Sequence, residues 1–541
     1  MIVDPIEGLA VQNGLHLPSP TFDFAESMER VRTLGDAVRS GSVGNNGVAT
    51  IPSGWHSEFF GEVFVSPWPT LSLGVVAEDE TGAFSVWSSS SDGAVIESLE
   101  TDVDGLVLSL VTHKSIAPFK AQQIPWSVSR SGDPAISGSI EITVDGKQLN
   151  LGVEGIRAVL WDLRPDWHAG ARVQYDFVSD VFESWDGTEQ IASVMDDPRC
   201  SMTYTYLLTD EQETWASNRL DTYQNSFLVP AWHELFSLVD GVGPSDREVR
   251  IDRPLREVCQ RYSVLLVDGN VHLIESCSAD EIVFAKPAGR SYPAGTECHI
   301  AHICFLPDGA SITRLTDRVA TVSLTFEKQS EADGFTAPGE LPQLWGLPLL
   351  EHRPNRLTDV TDELKARLQV HDSGVGYRRV KPRTKLPERL HSAAFTLFGT
   401  EEIRSFIDFM LATRGQQQPF WLDSGNNDFY LAAGAQDGAT VLHVRNNGYA
   451  SFRFTHGCYR RIAVHALGQV FYRTIVAAQI DSSDIERITL DEPLPAMSML
   501  DVEQISFVLP ARWASDTFEF TYATTDVAEI SKGVKILDYE L

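Results

Sequence analysis

The strongest constraint on how this 541-residue chain can fold is an echo inside it. Trp161-Asp-Leu-Arg-Pro-Asp166 is answered by Trp345-Gly-Leu and then Arg353-Pro-Asn355, with the two prolines offset by 354 − 165 = 189. Leu207-Leu-Thr-Asp-Glu-Gln-Glu-Thr-Trp215 is answered by Leu397-Phe-Gly-Thr-Glu-Glu-Ile-Arg-Ser-Phe406, with the threonines offset by 400 − 209 = 191 and an aromatic six positions after each. Two landmarks at nearly one spacing mark a duplicated module. Thr209 and Thr400 read as helix N-caps, each followed by acids that complement the helix dipole, and Thr209 with Gln212 fits a capping box. The second helix is the clearer one, because Ile403, Phe406, Ile407 and Met410 fall at i, i+3, i+4 and i+7.

Each helix is followed by an aromatic cluster, Phe227-Leu-Val-Pro-Ala-Trp232 in the first half and Pro419-Phe420-Trp421 in the second. Short strands are expected next, over 282–284 and 299–305 in one copy and over 452–454 and 504–509 in the other. A closing pattern recurs between 315–326 and 525–536. Between the copies, Pro338, Pro342, Pro348 and Pro354 predict a stiff, extended connection. Upstream, Ile140, Ile142 and Val144 alternate, Asp145-Gly146 supplies a tight turn, and Leu149, Leu151 and Val153 alternate on the return. That pattern predicts a β-sandwich.

The expected fold is therefore mainly β and multi-domain: an N-terminal arm (1–59) with a short helix over 25–38, a β-sandwich (60–161), module copy 1 (162–328), a Pro-rich linker (329–357) and module copy 2 (358–541). Each copy carries one short helix.

Charge and composition remove several function classes. Acidic residues number 75 against 43 Lys plus Arg, a formal charge of −32, which repels phosphate backbones and argues against a nucleic-acid grip. Aromatics at 10%, with 12 Trp, suit β-rich cores and large interfaces. No apolar run approaches the roughly 20 residues that span a bilayer. The first basic residue is Arg30, so a secretory leader is not expected. The six cysteines form no C-x-x-C pair and read as free, mostly buried thiols made in a reducing cytosol.

The motifs that could carry chemistry are weak. Trp232-His-Glu-Leu-Phe-Ser237 begins like a zinc-protease helix, but Ser237 stands where the second His belongs. Cys298-His-Ile-Ala-His-Ile-Cys304 holds two Cys and two His. In a strand, Cys298, His302 and Cys304 lie on one face at about 6.5–7 Å spacing, too spread for one tetrahedral zinc, so a half-buried strand is expected. Gly41-x-x-Gly44-x-x-Gly47 lacks the Lys-Ser/Thr end of a phosphate loop, and no G-x-S-x-G elbow occurs. Acidic pairs such as Asp196-Asp197 and Asp210-Glu211 arise freely in so acidic a chain, which empties a glycosidase reading of weight. The basic run Tyr377-Arg-Arg-Val-Lys-Pro-Arg-Thr-Lys385 reads as a solvated or subunit-contacting loop. No enzyme, cofactor or metal is expected.

Several motifs together resemble a family. Arg164-Pro-Asp-Trp167, Val181-Phe-Glu-Ser-Trp-Asp-Gly-Thr-Glu-Gln190 and Pro198-Arg199, then Tyr204-Thr-Tyr206, the Thr209 helix and Phe227-Leu-Val-Pro-Ala-Trp232, are similar to tail-tip proteins of long-tailed, non-contractile bacteriophages. Arg414-Gly-Gln-Gln-Gln-Pro-Phe-Trp421 resembles the N-terminal module of distal tail proteins and of gene transfer agent tail proteins. Ala514-Ser-Asp-Thr-Phe518 and Thr525-Asp-Val-Ala-Glu-Ile530 resemble tail-protein endings. The resemblance covers roughly residues 84–540. One departure is that copy 1 has Gln224-Asn-Ser226 where copy 2 has Arg414-Gly415.

The resemblance implies a structural virion protein of the tail tip, assembled in the host cytoplasm. Such a protein forms a homo-oligomeric ring, trimer or hexamer, joining the tail tube to the distal tip around a DNA channel. Its implied partners are tail tube, tape measure and hub or fibre proteins, with phage DNA only in transit. A carbohydrate- or receptor-binding tail protein holding a host-surface glycan is the alternative, motivated by Trp55 and Pro67-Trp-Pro69. The module-defining positions are Trp161, Trp185, Gly187, Thr209, Trp215, Phe227, Trp232, Trp345, Thr400, Phe406, Gly415, Phe420 and Trp421.

Overall fold

The computed structural model describes residues 61–537, apart from 77–78, 110–112, 130–134, 186, 223–225, 254, 256–263, 279, 330–340 and 356–358. The expected N-terminal arm and its helix lie outside the described residues, as does Trp55. The described chain is mainly β.

Residues 63–157 form the sandwich. One sheet orders its strands Val63–Ser66, Glu80–Ser88, Ala121–Val128 and Leu106–Leu108. The other orders Thr70–Val76, Lys147–Arg157, Ala135–Val144, Ala94–Thr101 and Lys114–Ile116. Alternation drives this: Ile140, Ile142 and Val144 are fully buried and meet Phe84, Val86 and Ile124 from the facing sheet. Asp145 (φ 48°) and Gly146 (φ 75°) both occupy the left-handed region that a two-residue hairpin needs.

The sandwich ends earlier than the sequence suggested. Val159–Leu160 runs parallel to Phe227–Pro230, so 159–161 belong to the first module. Val75 and Ala158 join Leu228, Val264 and Ala301 in a small apolar patch that seats the sandwich on that module.

From Val159 on, one order of strand pairings occurs twice. Val159–Leu160 lies parallel to Phe227–Pro230, and Leu347–Leu350 lies parallel to Phe420–Asp423. Arg199–Thr209 pairs along nine residues with Val319–Lys328, and Glu388–Phe398 pairs along ten with Val527–Ile536. Helix α1 (Asp210–Thr222) follows the first long strand and helix α2 (Gly399–Thr413) follows the second. Phe227–Pro230 pairs with Glu297–Phe305, as Phe420–Asp423 does with Val502–Trp513. Each half also carries a free-standing hairpin, Ser179–Glu183 with Glu189–Ser193 and Leu368–His371 with Arg379–Pro382. Among the described residues the third helix, α3 (Tyr449–Phe452), has no counterpart in the first half.

The registers sharpen the echo. The Asp166 N–H donates to the Thr205 carbonyl at 2.7 Å, and the Asn355 N–H to that of Ala394 at 2.6 Å. Donors and acceptors share the offset of the two prolines, since 355 − 166 and 394 − 205 both equal 354 − 165. The Arg-Pro echo is therefore a structural equivalence. The tryptophan echo is not. Leu160 pairs with Leu228 and Leu349 with Trp421, which makes Leu350 the counterpart of Trp161. Trp345 sits instead at positive φ in the turn between Gln343–Leu344 and Leu347–Leu350. That hairpin also overturns the extended linker, because 343–350 is paired structure at the start of the second module.

Other expectations change for local reasons. The strands expected at 282–284, 299–305 and 504–509 are present, but 452–454 is the end of α3 and a turn. The strand Glu297–Phe305 is buried on both faces and not half-buried, since Cys298 and Ile300 enter one apolar cluster while Ala301 and Ile303 pack with Val75 and Ala158 in another. Cys277 is in a disulfide, against the expectation of free thiols, whereas Cys200, Cys298, Cys304 and Cys458 are not disulfide-bonded.

Trp161 anchors the first core. It is fully buried and meets Tyr206, Trp215 and Phe227 edge-to-face at 6.0, 5.1 and 5.8 Å. Trp161→Ala is expected to lower the apparent stability in urea unfolding by about 3–5 kcal/mol. Trp345→Ala, at a partly exposed turn, is expected to cost less than half as much.

Candidate assembly interface

The two halves meet edge to edge. Ala171–Asp176 pairs on one side with residues 199–203 of its own half. On the other side it pairs antiparallel, over six residues, with 517–522 of the second half. The inward side chains explain why the edges close: Val173, Tyr175 and Phe177 are buried, with Tyr175 on Phe520 at 5.9 Å and Phe177 on Phe518 at 6.1 Å. Thr517 Oγ1 donates to Asp176 at 2.6 Å. Asp516 accepts from the Ser179 N–H at 2.9 Å, the Ser179 hydroxyl at 3.0 Å and the Gln416 N–H at 2.9 Å.

The first hairpin, Ser179–Ser193, lies across the second half and pins it with charge. Glu189 accepts a bidentate pair from Arg512, Nε at 2.9 Å and Nη2 at 3.0 Å, with both side chains under one-tenth exposed. Lys535 also reaches Glu189 and lies 3.1 Å from Glu388. Arg367 bridges Glu183 and Glu388, the latter at 2.9 Å. Burial raises the Glu388 carboxyl, but the hydrogen bonds from Arg367 and Lys535 outweigh it and hold it below the usual range. Buried carboxylates and cations thus alternate, as such groups must when water is excluded.

The remaining positions singled out in the sequence divide between junction and core. Trp185, two-thirds exposed, has the Arg383 guanidinium 3.8 Å above its ring, and a Cβ on Gly187 (φ 90°) would stand 3.0 Å from Thr384 Cγ2. Arg414 takes the left-handed C-cap of α2 and pairs with Asp196 at 2.7 Å. Gly415 follows at φ 64°, where a Cβ would come within 2.5 Å of Asp516 Oδ1 of its own half and 3.1 Å of Phe177 Cβ of the first, so glycine fits the backbone and the close approach of both. Phe227, Phe406, Phe420 and Trp421 are buried core, as is nearly all of Trp232, while Trp215 packs beside the core with Arg219 over its ring at 3.6 Å.

Thr209 precedes α1, and its N–H donates to Gln212 Oε1 at 3.0 Å, the backward half of a capping box. Thr400 is not an N-cap. Phe398 holds that place, its N–H satisfied by Glu402 at 2.8 Å, and Thr400 lies inside the first turn. Its hydroxyl instead accepts from Arg253 of the first half at 2.7 Å.

The junction residues Glu189, Arg512, Lys535 and Asp516 carried no chemical signal in the sequence. Glu189 and Asp516 do lie inside two of the stretches singled out in the sequence, 181–190 and 514–518, and those stretches touch here.

One polar cluster outside the junction has the composition of a hydrolase site. His465 Nε2 lies 2.8 Å from Asp423 and 3.4 Å from Ser506 Oγ, while Arg353 reaches Nδ1 at 3.1 Å. Arg353 can only donate, so Nδ1 accepts and Nε2 carries the proton that Asp423 takes. No ring nitrogen is left to deprotonate Ser506, and the cluster locks three strands together, those of Asp423, His465 and Ser506. Among the described residues no group of His, Cys, Asp and Glu is arranged to hold a metal. Burial lowers the pKa of His299 against the opposing hydrogen bonds to the Glu234 and Ala231 carbonyls, and its Nδ1 lies 2.8 Å from the Glu234 carbonyl. The Cys298 thiol is pushed up to about 12 by burial. No protein-family model matches the chain, and no curated protein matches it.

Glu189→Gln leaves Arg512 buried without its counter-charge and is expected to destabilise by about 3–5 kcal/mol in urea unfolding, whereas Glu183→Gln, partly exposed, is expected to cost about 1 kcal/mol or less. A second expectation concerns acid. Burial raises the Asp423 carboxyl, but hydrogen bonds from His465, Ser506 and the Gly425 N–H win and hold it below the usual value of 3.8. Its stabilising contribution is complete above that value and fades as pH falls through the lowered native one. Acid titration of stability from pH 5 to pH 2 should therefore be shallower in Asp423→Asn than in the parent.

Proposed function

We propose that this chain is a structural subunit of a bacteriophage tail tip, a ring component that joins the tail tube to the distal tip around the DNA channel. The observation that carries the reading is the junction of Ala171–Asp176 with residues 517–522, which joins two halves of like pairing order through different edges. A contact between unlike edges is heterologous, and repetition of such contacts builds rings when the rotation closes. Three chains would present six similar modules, matching a six-fold tube to a three-fold tip. The formal charge of −32 suits a wall past which DNA must slide without adhering.

The glycan-binding alternative has less support. Trp68, Trp185 and Trp345 are exposed among the described residues, and the last two each have an arginine over the ring, Arg383 at 3.8 Å and Arg461 at 5.0 Å, which occupies a face a sugar would stack on.

Negative-stain electron microscopy of the purified protein tests the proposal. Annular particles with an opening that admits duplex DNA are expected. Solid compact particles, or single chains at every concentration, contradict it.

A further inference from the structure

Two sheet edges correspond to the intramolecular junction but do not meet within the chain. Among the described residues, Thr361–Lys365 pairs only with Glu388–Phe398, and all five of its residues are exposed. Ile312–Arg314 pairs only with Val319–Lys328.

Register identifies what each edge is. Arg172 lies opposite Thr203 and Thr361 opposite Ser392, and both members keep the offset of the two prolines (361 − 172 and 392 − 203). Thr361–Lys365 is therefore the second half's copy of Ala171–Asp176. Phe520 lies opposite Ile530 and Ile312 opposite Val322, again with one offset for both members (520 − 312 and 530 − 322). Ile312–Arg314 is therefore the first half's copy of the strand that closes the junction. The chain carries one completed junction and the two unjoined halves of another.

We propose that Thr361–Lys365 of one chain pairs antiparallel with Ile312–Arg314 of a second copy, in the register of the internal junction. Arg172 faces Thr521 and Val173 faces Phe520, so Thr361 faces Thr313 and Asp362 faces Ile312 of the neighbour. The hairpin from Leu368 to Pro382 then crosses the second copy as Ser179–Ser193 crosses the second half. This inference rests on the ring reading and names the surface that forms it.

Charge supports the assignment independently. By the same offsets Arg378 holds the place of Glu189, and Glu327 holds that of Lys535. The internal contact joins a hairpin carboxylate to a sheet ammonium, and the interchain contact joins a hairpin guanidinium to a sheet carboxylate. Both signs invert together, which preserves attraction between copies and sets like charges against each other if the partners are exchanged. Asp308 likewise stands where Asp516 caps the first hairpin, ready for the Leu368 N–H. Two features are not retained: Phe305, opposite Glu327, takes the place of Arg512, opposite Lys535, and Asp372, at the place of Glu183, stays acidic where Lys535 has become Glu327, with Arg378 2.6 Å away to offset it.

Paired cysteines and a charge swap test the edge, with mass photometry read alongside. Thr361→Cys combined with Thr313→Cys is expected to give disulfide-linked multiples of the chain on oxidation, and neither single variant should. Arg378→Glu is expected to weaken assembly at least tenfold, and Arg378→Glu with Glu327→Arg should restore most of it. Arg378 is largely exposed, with 73% of its side chain open to solvent and a surface pair to Asp372 of its own hairpin at 2.6 Å, so the variant leaves the core untouched, and the Glu327→Arg rescue separates the interchain contact from loss of that local pair. Rings of fixed mass with no cross-link and no charge sensitivity overturn this edge and leave the ring reading standing. Cross-linked chains of open-ended mass support the edge and overturn the closed ring. Single chains at all concentrations, without cross-links, overturn both.

Discussion

The structure depends on one β-ladder between strands from opposite halves of the chain. Ala171–Asp176 is the edge strand of the first half taken alone, and an edge strand offers unpaired N–H and C=O groups that recruit whatever strand can reach them. Here residues 517–522 answer that demand. The hairpin Ser179–Ser193 then fixes the angle at which the halves meet, because Glu189 can satisfy Arg512 and Lys535 together in only one placement. Such buried charges add little net stability but penalise wrong geometries heavily. A junction built this way suits a particle whose subunits must meet at one angle.

Much of this was legible in the sequence, and its failures have physical causes. The Arg-Pro echo held because Arg164-Pro165 and Arg353-Pro354 lie just beyond equivalent strands, where proline's missing N–H costs no ladder bond and its fixed φ directs the chain out of the sheet. The same offset then persists through the long strands to Thr209 and Phe398. It breaks at the helices, since α2 is 15 residues and α1 is 13. Aligning Thr209 with Thr400 therefore matched two hydroxyls with different work: one ends a strand, the other bridges to Arg253. Trp345 misled for a related reason. Residue identity drew it to Trp161, but the burial that makes a tryptophan structural passed to Leu350, and Trp345 covers the outside of Trp421 at 5.6 Å. The proline-rich segment misread as a linker shows that four prolines do not forbid a short strand at a module's start.

The junction itself was invisible in the sequence, because no periodicity says which edges will meet. What marks it is comparison between the halves. Inward positions that are Val173 and Tyr175 in the first half are Asp362 and Leu364 in the second, and Leu364 remains largely exposed. Asp362 is held below the usual carboxylate range: burial raises it, but hydrogen bonds from Arg389 and His391 prevail. The second edge is thus kept soluble in the single chain while retaining a full ladder of backbone donors and acceptors. This is a common way to keep an edge from pairing indiscriminately before the right partner arrives.

Backbone hydrogen exchange tests most directly the claim that one junction is made twice, inside the chain and between copies. Amides of Ala171–Asp176 provide the internal standard for a completed ladder. The account predicts that amides of Thr361–Lys365 and Ile312–Arg314 exchange fast in dilute, unassembled protein and slow toward that standard as assembly proceeds. Fast exchange at both edges in the fully assembled particle would contradict it.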